Sequence, residues 1–231
     1  MPESLIVFAR APVPGQTKTR LARVLGKENA AALAAAMLRD TLRIAQAANG
    51  ETCVAFSPIN AFEAGPYSLG RFWDGPHFAQ CEGDIGDRML AAFRHEFGRG
   101  CRHVVLIGSD VPDLPATVLR DAFAALVSHD LVFGPAHDGG FYLIGTARAL
   151  PDNFFDSVVW SSESVLQSTL SNAHRQQLTS AQLPLCRDVD EFSDLCALDR
   201  RLKNTAHAPN TQNELQRLQH VIDAVHRVEV G

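Results

Sequence analysis

Along the chain, short unbroken apolar runs alternate with longer stretches in which apolar residues recur every three or four positions. Leu5-Ile-Val-Phe-Ala and Val104-Val-Leu-Ile show no in/out alternation, which is the pattern of strands covered on both faces by helices. Residues 52–56, 77–81, 130–134 and 140–145 read as further strands, with a short one near 183–186. Helical spacing marks residues 17–49, closed by Asn49-Gly50, and residues 87–98, where Met89, Leu90, Phe93 and Phe97 share a face. Pro115 suits a first helical turn and predicts a helix to about Ser128, with others near 164–170 and 191–202. After a polar gap at 204–210, Thr211-Gln-Asn-Glu214 has capping-box spacing and predicts a last helix at about 211–227. Leu215, Leu218, Ile222 and Val225 line one face of it. That face is expected on the chain's own core, with a second copy of the chain, in a homodimer, as the alternative occupant.

Strands alternating with helices imply βαβ units. The expected class is α/β, a Rossmann-like three-layer α/β/α sandwich with a mainly parallel mixed sheet, in one domain over residues 1–231. Such sheets bind ligands beyond the carboxyl ends of their strands. Four loops are therefore expected to meet on one edge: 10–20, 82–88, 109–114 and 135–140.

Composition narrows the partners. With 46% apolar residues, 20% charged residues and a formal net charge of −5, the 231-residue chain buries a substantial core and lacks the charge of a polyanion binder. Nucleic acid is not an expected partner. Five cysteines without a Cys-x-x-Cys pair suit neither a disulfide framework nor a zinc site, and reduced thiols are expected. The N-terminal apolar run follows Glu3 and is broken by Arg10, which does not suit a signal peptide, and no run approaches the roughly 18 apolar residues of a membrane span. A cytoplasmic protein is the expectation.

The first loop carries Arg10, Lys18 and Arg20 between a strand and a helix start, where cations and free backbone N–H groups favour phosphate. A merely basic helix start would oppose the macrodipole, so an anion is expected there. Gly15-Gln-Thr-Lys18-Thr19 is not a P-loop, because Thr17 and Pro12 stand where that motif requires glycine. Asp110 ends the most apolar strand, ahead of a proline-fixed turn, and is the candidate ligand for a hard cation, Mg2+ or Mn2+. Asp113, just before Leu114-Pro115, reads as a turn former or helix cap. Asp138-Gly139-Gly140 lies between two strands on the same edge. The glycines permit a tight turn and close ligand approach, and Asp138 is the candidate base for an acceptor hydroxyl. His137 reads as a loop residue.

Taken together, Phe8-Ala-Arg-Ala-Pro-Val-Pro-Gly-x-x-Lys18-Thr-Arg20-Leu, Gly83-Asp84-Ile-Gly86-x-Arg88-Met, Gly108-Ser-Asp110-x-Pro-Asp113-Leu and Gly134-Pro-Ala-x-Asp138-Gly-Gly-Phe-Tyr-Leu-Ile-Gly145 resemble the nucleotide-diphospho-sugar transferase superfamily of glycosyltransferase-A fold. More narrowly the chain resembles the bacterial rSAM/selenodomain-associated transferase 1 family, a glycosyltransferase-like group. Val159-Trp160-Ser161 and Asp188-Val-Asp190-x-x-x-Asp194-Leu extend the likeness toward the C-terminus. The resemblance implies a nucleotide site formed by Ala9, Arg10, Lys18, Arg20, Gln80, Gly83, Asp84, Arg88, Ser109, Asp110, Gly139 and Gly140. It also implies a metal on Asp110 with Asp188 facing it, and Asp190 as cap of the following helix.

Pro12 and Pro14 lack N–H groups, so this loop is poorly suited to wrapping a triphosphate as the related nucleotidyltransferases do. The first expectation is thus a metal-dependent transferase moving sugar from a nucleotide-sugar to a small acceptor. Nucleotidyl transfer from a nucleoside triphosphate with release of pyrophosphate is the alternative. A nucleotide-binding module without catalysis is the alternative of another class.

Overall fold

The computed structural model describes residues 2–48, 50–63, 65–203 and 207–229. Its centre is a seven-stranded sheet of order β3-β2-β1-β4-β6-β5-β7. The strands are β1 (Glu3–Arg10), β2 (Glu51–Ser57), β3 (His77–Ala79), β4 (His103–Ile107), β5 (Leu131–Pro135), β6 (Phe141–Thr146) and β7 (Ser180–Gln182). β1 pairs in parallel with β2 and β4, while β6 runs antiparallel between β4 and β5. The sheet is mixed and mainly parallel, in the α/β class, as expected.

The absence of alternation in β1 and β4 has the cause inferred from sequence. Leu5, Val7, Val105 and Ile107 face one apolar cluster with α2 (Lys27–Gln46) and α4 (Ala116–Ala125). Ile6, Val104 and Leu106 face another with α3 (Ile85–Gly98) and α5 (Val165–Arg175). Both faces are covered, giving three layers. Phe93 and Phe133 are fully buried in the second cluster, and each such side chain contributes roughly 1.5–3 kcal/mol on leaving water.

A third cluster joins α1 (Thr19–Leu25), α2, α6 (Phe192–Leu202) and α7 (Pro209–Glu229). Leu215, Leu218 and Ile222 of α7 are buried there with Leu33 and Met37 of α2, so this face is occupied within the chain.

Several expected boundaries move. The helix read over residues 17–49 is two helices, broken at Gly26, whose φ of 86° no helix accommodates. Asn49 of the stop signal, and residues 204–206 of the polar gap, lie outside the described residues. The last strand is Ser180–Gln182 rather than 183–186, because Pro184 has no N–H to pair, although Leu183 and Cys186 still bond to the β5 carbonyls of Phe133 and Pro135. Thr211 does not cap α7, which begins at Pro209. The fully buried Asp40 of α2 does so from outside, accepting Asn210 N–H at 3.2 Å, Thr211 N–H at 2.7 Å and the Thr211 hydroxyl at 2.8 Å. All five cysteines are free. Among the described residues no helix is long and apolar enough to cross a membrane.

Candidate functional site

The strand order reverses at β1, which lies between β2 and β4, and a crevice opens there above the carboxyl ends. It is a cleft of about 690 Å³ fed by every loop named from sequence. Ala9 and Arg10 enter from the end of β1, Lys18 and Arg20 from the start of α1, Gln80 and Arg88 from the β3–α3 side, Ser109 and Asp110 from the loop after β4, and Asp138 and Gly140 from the β5–β6 turn. Asp188 joins them from the segment after β7.

Lys18 is the most constrained of these. It occupies the N-cap of α1 at φ 45°, ψ 48°, a left-handed conformation rare outside glycine. That turn drives its stem inward until the side chain is only 7% exposed. The ammonium donates to Asp110 Oδ1 at 2.5 Å, the Val189 carbonyl at 2.6 Å and Asp190 Oδ1 at 3.2 Å. Burial opposes its charge, but the two carboxylates outweigh it and hold its pKa above the usual lysine value. The Val189 N–H donates back to the Asp110 carbonyl at 3.0 Å, which brings residues 188–190 beside β4 across nearly 80 positions of sequence. Asp110 and Asp190 are about half exposed toward the cleft.

Asp188 completes the acidic wall. Burial raises its pKa to about 6, assisted by the neighbouring charges of Asp138, Asp190 and Asp110. Asp138 Oδ1 accepts the Gly140 N–H at 2.9 Å, so one oxygen closes the turn in the ordinary structural role of such a residue. Arg10 donates to the Gln16 carbonyl at 3.2 Å, and the exposed Arg20 lies 3.5 Å from Glu191. Both residues line the same cleft as the acidic wall, and Arg20 reaches it through Glu191, the neighbour of Asp190.

Three expected contacts stand behind the lining. Asp84 caps α3 through the Asp87 N–H and accepts the Trp160 indole N–H. Gly83, at φ 113°, leaves room for the Asp87 carboxylate that completes the same capping box. Gly139, at φ 85°, lies where a Cβ would stand 2.1 Å from the Glu163 carbonyl oxygen. Close approach is its role, to backbone rather than to ligand. Asp113 lies in the turn that the Leu114 N–H closes on the Val111 carbonyl, as expected, but it does not cap α4: Pro115 takes that position, and Asp113 accepts Arg201 of α6 at 2.9 and 3.3 Å.

Asp190 is the residue misread from sequence. Glu191 and Asp194 form the capping box of α6, with Asp194 accepting the N–H groups of residues 190 and 191, which frees the Asp190 carboxylate for Lys18. The signal was the Asp-x-Asp spacing, which places two carboxylates on one side of an extended segment. Trp160, Ser161 and Ser162 also line the cleft, and Ser161 shares with Lys18 a positive φ, of 62°.

Residues 38–162 match the family described as an uncharacterized protein conserved in bacteria (DUF2064). No curated protein matches the chain. Among solved structures, the chain is similar to a candidate nucleotide-diphospho-sugar transferase from Desulfovibrio desulfuricans G20, with 32% identity, TM-score 0.86 and coverage of 96% of this chain and 97% of that one. It shares its fold with a cytidylyltransferase from Leptospira borgpetersenii, at 12% identity, TM-score 0.57 and coverage of 96% and 97%. The same holds for Rv0371c from Mycobacterium tuberculosis in complex with manganese, at 15% identity, TM-score 0.51 and coverage of 86% and 98%. The chain therefore belongs to the bacterial DUF2064 family and has the nucleotide-diphospho-sugar transferase fold.

Proposed function

We propose that the protein is a metal-dependent transferase that takes sugar from a nucleotide-sugar and places it on a small hydroxyl-bearing acceptor. The observation that carries the reading is the meeting, at the switch point of the sheet, of a cationic loop with four carboxylates, Asp110, Asp138, Asp188 and Asp190, in one cleft. Nucleotide binding is expected of Arg10, Lys18, Arg20, Gln80 and Arg88, with Ala9, Ser109 and Gly140 supplying close backbone.

The acidic wall fits a divalent ion. Its donors are hard oxygens, and an added cation would offset the burial that raises the Asp188 pKa to about 6 together with the neighbouring carboxylate charges that assist it. Among the described residues no three His, Cys, Asp or Glu side chains form a metal-holding group. One or two carboxylates, with phosphate and water oxygens, is however the usual set for Mg2+. Asp110 and Asp188 would hold it, and it would neutralise charge on the departing diphosphate. In the transfer, the bond from anomeric carbon to diphosphate oxygen breaks as the acceptor oxygen bonds to that carbon. Asp138 takes the acceptor proton.

The phosphate loop favours this over nucleotidyl transfer. Positions 12 and 14 have no N–H, and the N–H groups of Ala11, Val13 and Gln16 donate to the carbonyls of Ser57, Ala11 and Val13. Over residues 11–14 no N–H is left to wrap a triphosphate. Incubation with a panel of nucleotide-sugars in Mg2+ or Mn2+ should yield nucleoside diphosphate. Pyrophosphate release from any of the four nucleoside triphosphates would instead establish nucleotidyl transfer, and nucleotide affinity without turnover would leave a binding module.

A further inference from the structure

Gly83, Asp84 and Gly86 converge on a single side chain in the cleft wall. Asp84 uses Oδ1 to cap α3, accepting the Asp87 N–H at 2.9 Å, and offers Oδ2 to the Trp160 indole N–H at 3.1 Å. Gly86 is buried beneath the same indole, where a Cβ would stand 2.8 Å from Trp160 Cζ2 and 3.0 Å from Phe155 Cβ. The Phe155 ring supports it from behind at 5.5 Å between centroids. Gly83 accommodates Asp87, whose carboxylate accepts the Asp84 N–H at 3.1 Å and so fixes Asp84 itself. Trp160 is thus held at its N–H, at one edge and from behind, yet it lines the cleft, with Ser161 and Ser162 beside it.

The position of the ring follows from what its segment touches. Leu166 N–H donates to the Gly139 carbonyl at 2.9 Å, and Gly139 meets the Glu163 backbone closely enough to exclude a Cβ. The segment is therefore docked on the Asp138 turn. The sheet order places Gln80, which follows edge strand β3, and the Asp138 turn, which follows β5, on opposite sides of Asp110. With the base at Gln80 and the diphosphate at Asp110, the sugar of a nucleotide-sugar would lie toward the Asp138 turn, on which the Trp160 segment is docked, while the ring itself leans on Asp84 and Gly86 at the start of α3.

On that reading of the site, we infer that Trp160 is the platform for the sugar and that Gly83-Asp84-Ile85-Gly86 is its mount, not a set of nucleotide contacts. The C–H face of a pyranose is apolar while its rim carries hydroxyls. A flat indole matches the first, and the Ser161 hydroxyl beside it in the cleft suits the second, while the Ser162 hydroxyl is held by the Val159 carbonyl and Ser164. Asp84 and Gly86 are positioning residues in this scheme.

The chain has two tryptophans, and Trp73 is buried with its N–H on the Pro76 carbonyl, so emission changes on ligand binding report Trp160. Wild type, Trp160→Phe and Trp160→Ala are titrated in Mg2+ with UDP, GDP, CDP and their commercially available sugar esters, by calorimetry and fluorescence. The inference expects one sugar ester to bind at least tenfold more tightly than its parent diphosphate and to alter the emission. Trp160→Ala should lose that advantage while its diphosphate Kd stays within about twofold, Trp160→Phe should keep most of it, and Gly86→Ala should reduce it and shift the emission. An advantage that survives in Trp160→Ala overturns the inference and leaves the proposed transferase intact. Equal loss of diphosphate and ester affinity also overturns it, since the ring would then serve the nucleotide. Absence of nucleotide binding in the wild type would remove the transferase reading itself.

Discussion

Lys18 carries its charge into a nearly sealed position, and that arrangement is open to a structural as well as a functional explanation. If the ion pair held the fold together, removing the ammonium would leave two buried carboxylates unpaired, at a cost of roughly 3–5 kcal/mol. Asp110 and Asp190 are about half exposed, however, and rehydrate without their partner. Lys18→Met, which keeps an apolar stem in the buried channel, is therefore expected to unfold in urea within about 1 kcal/mol of wild type. Its affinity for nucleoside diphosphate should nonetheless drop at least tenfold. Asp188 supplies a second expectation. Its carboxyl titrates near 3.8 when unfolded and about 6 in the fold, so the native state holds the proton more tightly. Its contribution to stability is complete below about pH 4 and is lost as pH rises through 6. In chelator, wild-type melting temperature should fall across that window by more than that of Asp188→Asn, and parallel pH profiles would show that Asp188 does not titrate there.

At the scale of elements, two connections do more than their local sequence announces. Asp40 of α2 satisfies the start of α7 from 170 positions away, and Asp40→Ala should cost about 2–4 kcal/mol and speed hydrogen exchange in the first turn of α7 before the rest of the molecule. Uniform loss of protection would contradict this local role. Gly139→Ala combines a positive φ with a backbone clash, so a loss of about 2–4 kcal/mol in chemical denaturation is expected, together with displacement of the Asp138 turn. Strands and the loops after them were readable because apolar runs and punctuating Gly and Pro are local signals, and a doubly wound sheet then sends those loops to one edge. Asp40 and Asp190 were not readable. Their partners are set by tertiary packing, and the local grammar misled: Thr211–Glu214 has the form of a helix start although α7 begins at Pro209, and Asp190 has the form of the α6 cap although Glu191, with Asp194, takes that role. Asp84, expected at the nucleotide, caps α3 and accepts the Trp160 indole N–H, partners that its motif does not announce.

Across the whole molecule, the third apolar cluster explains how a chain of this size brings its last third to the site. α6 and α7 pack on α1 and α2, and the segment leading into α6 places Asp188 and Asp190 over β4, so the acidic wall depends on the C-terminal helices being docked. The cleft opens at the point where the strand order reverses, the place where ligands of open α/β sheets bind, and it joins a cationic loop to carboxylates drawn from three separate connections. The central claim is that Asp110 anchors a divalent ion through which the nucleotide diphosphate is held. It is tested most directly by calorimetric titration of nucleoside diphosphates into wild type and Asp110→Asn, with Mn2+ and with chelator. The account predicts binding by the wild type that requires the metal, and at least a hundredfold weaker binding by the variant with an unchanged near-ultraviolet circular dichroism spectrum. Equal metal and nucleotide affinities in the two proteins would contradict it.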